Sequence, residues 1–494
     1  MSKFRIIDNS AVFNEIPNEE ECLPDGHLAR FILAAVQKMD MSAFEDEYVG
    51  SGSKPYSPSM SLSLFIYGYI TGIFSSRKIE AATHDSIAFR FLAGNTHPDH
   101  SSLAEFRKRF QGQFKNIFKQ VLGIAYQMGL TKKGSVSGDG TKIHANASKH
   151  SALSYAHALK LDAQIEKEIN QLLAEAEKAE HDNRELPMGL NVQHEIDIRK
   201  DMRGTIAQAK LEIERRAKER DAYELAEYEE KKAKHEAKIA EKEAQRRIWD
   251  AANVEKAAKR AAVEAKKELK RAAKAVQAGV IEMPEKQNGM PKKPVTGPRP
   301  GDQVNLTDEE SRIMPVSGGG YEQYYNAQAV VAEGTMLVMA AFVTQAPNDK
   351  QQVTPMLEAL AQVPECLPPV EAILLDTGFH SAANVDTCQA GGVDPYIAAS
   401  RAHHHPDPME RFTEPPPLPE GATPVQQMAH KLKTIAGRKI YALRKQTVEP
   451  VFGIIKSIMG FRQFSMRGLD AAENEWNMVC LSWNLKRMAV LRFQ

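Results

Sequence analysis

The chain has 494 residues, enough for two to four domains of ordinary size, and its 64 Lys and Arg balance its 64 Asp and Glu. This balance at first counts against a polyanionic partner such as nucleic acid. The four cysteines lack the spacings of a zinc site or a disulfide framework, and no apolar run reaches the roughly 18 residues of a membrane span. These features predict a soluble, cytoplasmic protein.

The first 130 residues have the pattern of a small all-helical domain. Between Ser61 and Ile73 the apolar residues recur at spacings of three and four, which predicts one face of an amphipathic helix. Ser102 and Glu105 have capping-box spacing, and four phenylalanines from Phe106 to Phe118 follow at a spacing of four, as in one continuous helix. The expected basic surface positions are Arg77, Lys78, Arg107, Lys108 and Arg109.

The pattern changes at residues 133–146, which are punctuated by glycine and alternate in polarity, as a strand and its turn do. Asp139 lies where this strand pattern meets Gly140. We therefore expect its carboxylate at the end of a strand.

The next segment, from about Ser151 to Gly279, is dominated by Ala, Glu, Lys and Arg, which predicts long solvated helices. Residues 284–300 are rich in Pro, Lys and Gly and are expected to form an extended linker. The excess of Lys and Arg near 256–274 favours a coiled-coil or DNA-contacting arm. A solvated helical hairpin explains the same composition equally well.

The C-terminal part begins with two predicted strands, residues 324–331 and 336–343, followed by a helix that Asn348 or Asp349 caps. A short apolar run, residues 372–375, predicts a strand buried in a mixed sheet, and it ends at Asp376. Two acids, Asp139 and Asp376, are thus expected at the mouth of an α/β sheet, where such folds usually bind ligands.

A third acid, Glu449, is expected near the start of a helix that Thr447 caps. Glu449 and Lys456 are seven residues apart and therefore share a face, whereas the opposite, buried face should contain Val451, Ile454, Ile455 and Ile458. The flanking segment is strongly basic and suits phosphates. Its cations are Lys431, Lys433, Arg438, Lys439, Arg444, Lys445, Lys456, Arg462 and Arg467.

Three carboxylates beside a basic groove could hold two divalent cations about 4 Å apart, as in nucleases and polynucleotidyl transferases. The residues alone also allow a plainer interpretation. An Asp after a strand is often a turn residue, and a Glu near a helix start often only complements the helix dipole.

Four blocks of the sequence, in order, resemble the bacterial insertion-sequence transposases of the DDE superfamily, outside about 151–300. The first comprises residues 56–107 and is similar to the family's N-terminal helical domain, which is associated with binding transposon ends. The others begin at Asp139 (DGTKIHANAS), at Asp376 (DTGFHS) and at Val448 (VEPVFGIIK). The last block continues with Gly460-Phe-Arg462 and Arg467-Gly468.

This resemblance implies a ribonuclease-H-like, mixed five-stranded sheet with flanking helices, preceded by an all-helical domain and interrupted by the charged helical insertion. It implies two Mg²⁺ or Mn²⁺ ions held by Asp139, Asp376 and Glu449, hydrolysis at the element's ends, and attack of the freed 3′-hydroxyls on target DNA. The implied partners are double-stranded DNA and a second copy of the chain, in a homodimer or larger assembly. The residues expected to contact DNA are Lys456, Lys445, Arg444, Arg462, Arg467, Arg77, Lys78 and Arg107.

The family's signature places a tyrosine, two residues, an arginine, three residues, the glutamate, six residues and a lysine. Glu449 and Lys456 fit it, but Lys445 occupies the arginine position and Tyr441 stands one residue too far upstream. The adjacent histidines His403–His405 are expected to form a surface loop rather than a metal site, because neighbouring side chains cannot easily converge on one ion.

The predicted organisation is an N-terminal, DNA-end-binding helical domain (1–130), a catalytic domain (131–150 and 301–494), a charged helical insertion (151–283) and a linker (284–300). Two alternatives to a transposase remain open from the sequence. One is a ribonuclease-H-like nuclease without strand transfer, and the other is a non-catalytic DNA-binding descendant.

Overall fold

A computed structural model describes residues 4–5, 7–10, 23–48, 54–185, 190–277, 290–316, 318–399, 409, 412–419 and 421–492. Cys22 and His403–His405 lie outside the described residues. Among the helices that are described, none is long and apolar enough to cross a membrane.

The elements follow one another in three groups. The first group contains α1 (Leu28–Val36), α2 (Ser42–Glu45), α3 (Pro58–Thr71), α4 (Ser76–Asp85), α5 (Ile87–Leu92), α6 (His100–Phe110), α7 (Phe114–Gln127) and β1 (Gly134–His144). The second contains β2 (Ala152–Ser154), α8 (Tyr155–His181), α9 (Val192–Ala252), α10 (Val254–Gln277) and β3 (Gln303–Asn305). The third contains β4 (Arg312–Pro315), β5 (Tyr321–Ala332), β6 (Val338–Thr344), α11 (Val353–Ala361), β7 (Val370–Leu375), α12 (Ala382–Ala390), β8 (Asp394–Ile397), α13 (Pro424–Lys433), α14 (Ile435–Ala442), α15 (Val448–Ser457) and α16 (Leu469–Leu491).

The chain divides into two compact units, residues 1–152 with 305–494 and residues 153–304. The first unit is built on a mixed six-stranded sheet in the order β4-β5-β1-β7-β8, with β6 also paired to β5. Strand β1 is central, antiparallel to β5 and parallel to β7, and β7 is parallel to β8. The prediction of a mixed sheet with flanking helices, preceded by helices and interrupted by a charged helical segment, is confirmed. The sheet has six strands and not five, because β4 and β6 both pair with β5.

Helix α16 forms much of the core between the sheet and the N-terminal helices. It packs against α3 and α7 on one side and against β6 on the other, so its residues are buried nearly all round. Trp476 Nε1 donates to Gln328 O at 2.9 Å, and Trp483 Nε1 donates to Met336 O at 2.8 Å. Both tryptophans and Cys480 are core residues.

Several local predictions for the helices of this unit were wrong. Helix α6 begins at His100 and is capped by Asp99, not by Ser102. The phenylalanine series does not form one helix, because α6 ends at Phe110 and a 3₁₀ turn over Gln111–Gln113 separates it from α7. On α15 the buried face contains Val448, Val451, Phe452 and Ile455, whereas Ile458 is 68% exposed. The buried residues of α15 face the sheet at β1, whereas Ile458 follows the end of the helix and points to solvent.

The second unit consists of long, charged helices with a small apolar core. Leu153, Ala158 and Ile165 pack against Ile206, Ala209, Ile213 and Val304. Ion pairs between α8 and α9 flank this core, with Arg203 Nε 2.8 Å from Asp162 Oδ1 and Arg199 Nε 3.0 Å from Glu168 Oε2. Beyond this short core most described side chains of α9 and α10 are exposed, as the composition predicts.

Candidate functional site

Asp139 lies inside β1, not at its end, which corrects the sequence prediction. Strand β1 pairs with β7 only as far as Ser137, opposite Leu374, and then extends past it. Asp376 follows β7 directly, so continuing the parallel register brings Asp139 beside Asp376. The two acids therefore meet where β1 loses its neighbour and the edge of the sheet opens.

Glu449 approaches the same edge from α15, and Arg444 links it to Asp139. The guanidinium donates from Nη2 to Asp139 Oδ2 at 2.7 Å and from Nη1 to Glu449 Oε1 at 3.0 Å. The Arg444 side chain is only 10% exposed, against 51% for that of Glu449. One buried cation thus holds together two acids from distant parts of the chain.

The segment before α15 explains why Arg444, and not Lys445, takes this position. Leu443–Gln446 form a 3₁₀ turn, which advances the chain faster per residue than an α-helix and absorbs the extra residue before Glu449. Lys445 is exposed. Thr447 is not a side-chain cap, contrary to prediction, because its hydroxyl donates to Leu443 O at 2.7 Å.

Tyr441 is the other signature residue whose spacing did not fit, and it too lies at the site. Its hydroxyl donates to Leu375 O at 3.1 Å, one residue before Asp376. Burial raises the pKa of Tyr441, and all three acids add to that effect while Arg444 opposes it. Tyr441 therefore lies within electrostatic range of Asp139, Asp376 and Glu449 at once.

The pKa of the Asp139 carboxyl is strongly perturbed by its surroundings. Burial raises its pKa from 3.8 to about 7, Arg444 and the Gly140 N–H oppose this, and the charges of Asp376 and Asp349 add to it. Desolvation disfavours the ionised form, and the single guanidinium that Asp139 shares with Glu449 does not offset it. Additional positive charge next to Asp139 would therefore be favourable.

A polar cluster that the sequence did not reveal lies on the opposite face of β1, under Gly140. Asp349 Oδ1 accepts from Asn326 Nδ2 at 2.8 Å and from Gln328 Nε2 at 2.6 Å. A β-carbon on Gly140 would overlap the Gln328 and Asp349 side chains and would lie 2.7 Å from Asn326 Oδ1. Asp349 was expected to cap a helix. Its true role depends on the β1–β5 register, which pairs Gly140 with Gln328.

Lys456 shares α15 with Glu449, as predicted, and is tied to β1. Its Nζ donates to Lys142 O at 2.9 Å, and burial lowers its pKa, with a smaller contribution from Arg462. Arg462 is exposed and donates from Nε to Lys456 O at 3.0 Å. These two cations therefore flank the end of β1 that follows Asp139.

The remaining expected DNA contacts lie elsewhere on the first unit. Arg77 and Lys78 are exposed on α4 and contact none of the three acids among the described residues. Arg107 of α6 and Arg467 before α16 line one pocket, although one comes from the N-terminal helices and the other from the C-terminal part. The structure thus brings these two together and leaves Arg77 and Lys78 apart.

The donor chemistry at Asp139 suits a hard divalent cation, since the available ligands are carboxylate oxygens. Within the described ranges, no three or more Asp, Glu, His or Cys side chains are grouped so that they could hold a metal ion. Between Asp139 and Glu449 the positive charge is supplied by Arg444. Asp139, buried and incompletely neutralised, still fits such an ion, because metal binding would favour its ionised form.

Two parts of the chain match known protein families. Residues 17–109 match a family described as a transposase domain, DUF772, and residues 419–489 match one described as a transposase DDE domain. The second match contains Tyr441, Arg444, Glu449 and Lys456. Comparisons with curated proteins and with solved structures gave no match.

Proposed function

We propose that the chain is an insertion-sequence transposase of the DDE superfamily, which cuts DNA at the ends of its element and joins the freed 3′ ends to target DNA. The proposal depends above all on one observation. A largely buried carboxyl, Asp139, lies at an open sheet edge beside Asp376 and shares a guanidinium with Glu449. Asp139 thus connects the other two acids, Asp376 through the strand register and Glu449 through Arg444.

Asp139, Asp376 and Glu449 are the groups that would hold the two Mg²⁺ or Mn²⁺ ions. Such ions, when bound, activate a water or a 3′-hydroxyl and stabilise the leaving oxygen. Arg444 would orient the two carboxylates that it contacts and donate to phosphate oxygens, for which its planar fork is suited. Tyr441 and Lys456 fix the backbone on either side of the acids, at Leu375 and at Lys142.

The proposal is tested with the purified full-length protein and a supercoiled plasmid that carries the coding sequence with its native flanking DNA. In MgCl₂ or MnCl₂ we expect breaks at the element's ends. D376N and E449Q should abolish them without loss of the folded state. D386N is the matched control, because Asp386 is exposed on α12 and should be dispensable.

Strand transfer needs a separate assay, with pre-cleaved ends that have either a 3′-hydroxyl or a 3′-deoxy terminus. We expect joined products only with the hydroxyl. Cleavage without joining would favour a nuclease over a transposase. An absence of breaks with the wild type would favour a non-catalytic DNA-binding descendant. If D376N cuts like the wild type, the assignment of the acids is wrong.

A further inference from the structure

A second cationic feature of the first unit lies outside the acidic site. It is a pocket of about 400 Å³ between α6 and the loop that precedes α16. Arg107, Lys108 and Gln111 line one side, and Met466 and Arg467 line the other. None of the described residues that line it is acidic, so its field favours an anion. We call it the basic groove.

The walls of the basic groove are held in place before any ligand arrives. Arg107 Nη1 donates to Phe74 O at 3.1 Å and to Ser465 Oγ at 3.2 Å. Arg467 Nε donates to Asn146 O at 3.1 Å, and Asn146 Nδ2 donates to Ser465 O at 2.7 Å. These bonds fix both guanidinium groups, so that less conformational entropy is lost on binding.

A buried glutamate anchors the loop itself. Glu475 is 1% exposed and accepts from Ser465 N at 2.8 Å, from Met466 N at 3.1 Å and from Tyr69 OH at 2.9 Å. These donors bind the Glu475 carboxylate inside the protein, so that it does not face the groove. The exposed cations Lys108 and Arg467 form no salt bridge among the described residues, which leaves them for an external anion.

We propose that the basic groove binds the sugar–phosphate backbone of the same DNA duplex that is cut at Asp139, Asp376 and Glu449. This inference rests on the proposed function. Arg467 contacts the chain at Asn146, just beyond the end of β1, and Asp139 lies on that strand. The five residue steps from Asp139 to His144 span about 17 Å along the strand. The groove would therefore contact the duplex beside the cut and not at the cut itself.

The test is DNA binding by the full-length protein in a salt titration, with a duplex of about 20 base pairs, or two helical turns, taken from an end of the element. The double variant K108A/R467A should bind more weakly. Its slope of log Kd against log salt should be smaller than the wild-type slope by about 2, since each phosphate contact contributes about 0.9. K108R/R467K retains both charges and should retain the wild-type slope.

The matched control is K38A/K132A, which removes the same charge at exposed positions that do not line the groove. Its slope should stay near that of the wild type. Equal slopes for K108A/R467A and K38A/K132A would overturn the proposal that the basic groove binds DNA and would leave the proposed function intact. A wild-type protein that binds no duplex would overturn both. Arg107 is not used, because its bonds to Phe74 and Ser465 make its removal a structural change.

Discussion

The substitution D139N should make the metal-free protein more stable, and by an amount that grows with pH. In the folded protein the pKa of Asp139 is raised from 3.8 to about 7, so its ionised form is disfavoured by folding. The stability that the neutral carboxyl provides is complete below about pH 4 and is lost as the pH rises to about 7. The sign is the reverse of that for a salt-bridged carboxylate with a lowered pKa.

The size of the effect follows from the shift. About three pKa units correspond to about 4 kcal/mol at 1.36 kcal/mol per unit, and this is an upper limit. The Asp139 side chain is 16% exposed, so solvent screening reduces the figure only modestly. Asparagine avoids the cost of burying a charge but gives up the ion pair with Arg444. We therefore expect the free energy of unfolding of D139N to exceed that of the wild type by about 1–4 kcal/mol at about pH 8 and to match it near pH 4.

The assay is chemical denaturation of both proteins, without divalent ions, at several pH values between about 4 and 8. Other titrating groups are the same in both and cancel in the difference. A difference that does not change with pH, or that shrinks as pH rises, would refute the assignment of Asp139 as a buried, poorly neutralised acid. Added MgCl₂ or MnCl₂ should stabilise the wild type at about pH 8 more than D139N, because the ion binds the ionised carboxyl.

Three further substitutions test the surroundings of the site, each by its change in the free energy of unfolding. G140A should destabilise the protein by about 1–3 kcal/mol, because its β-carbon would overlap the Asp349 cluster. Its control is G123A, in open space on α7, which should stabilise by about 0.5–1 kcal/mol. Equal effects of the two substitutions would contradict the overlap. R444A should destabilise the protein by about 2–4 kcal/mol and K445A by less than about 0.5 kcal/mol. The reverse order would mean that Lys445, as the family's signature spacing predicts, and not Arg444, contacts the acids. E475Q should destabilise the protein by about 2–3 kcal/mol, since an amide nitrogen would face hydrogen-bond donors. An unchanged denaturation midpoint would count against the Glu475 carboxylate as the anchor of the groove loop.

The helices, strands and acid blocks could be predicted because each leaves a local pattern. The apolar run before Asp376 and the alternation around Asp139 reflect strands whose periodicity is set within a few residues. The long helices of the second unit follow from composition alone, since few of their side chains need a packing partner. Glu449 was placed correctly near a helix start because helix periodicity is also local, although Thr447 does not cap that helix.

Only the tertiary structure determines which distant residues come into contact. The 3₁₀ turn before α15 decides that Arg444 and not Lys445 meets Asp139, because one residue of helical rotation exchanges a buried side chain for an exposed one. Strand register decides that Asp349 lies beneath Gly140. Arg107 and Ser465, 358 positions apart, meet only because α16 packs the C-terminal loop against the N-terminal helices. Such contacts depend on the packing of whole elements, which no local pattern encodes.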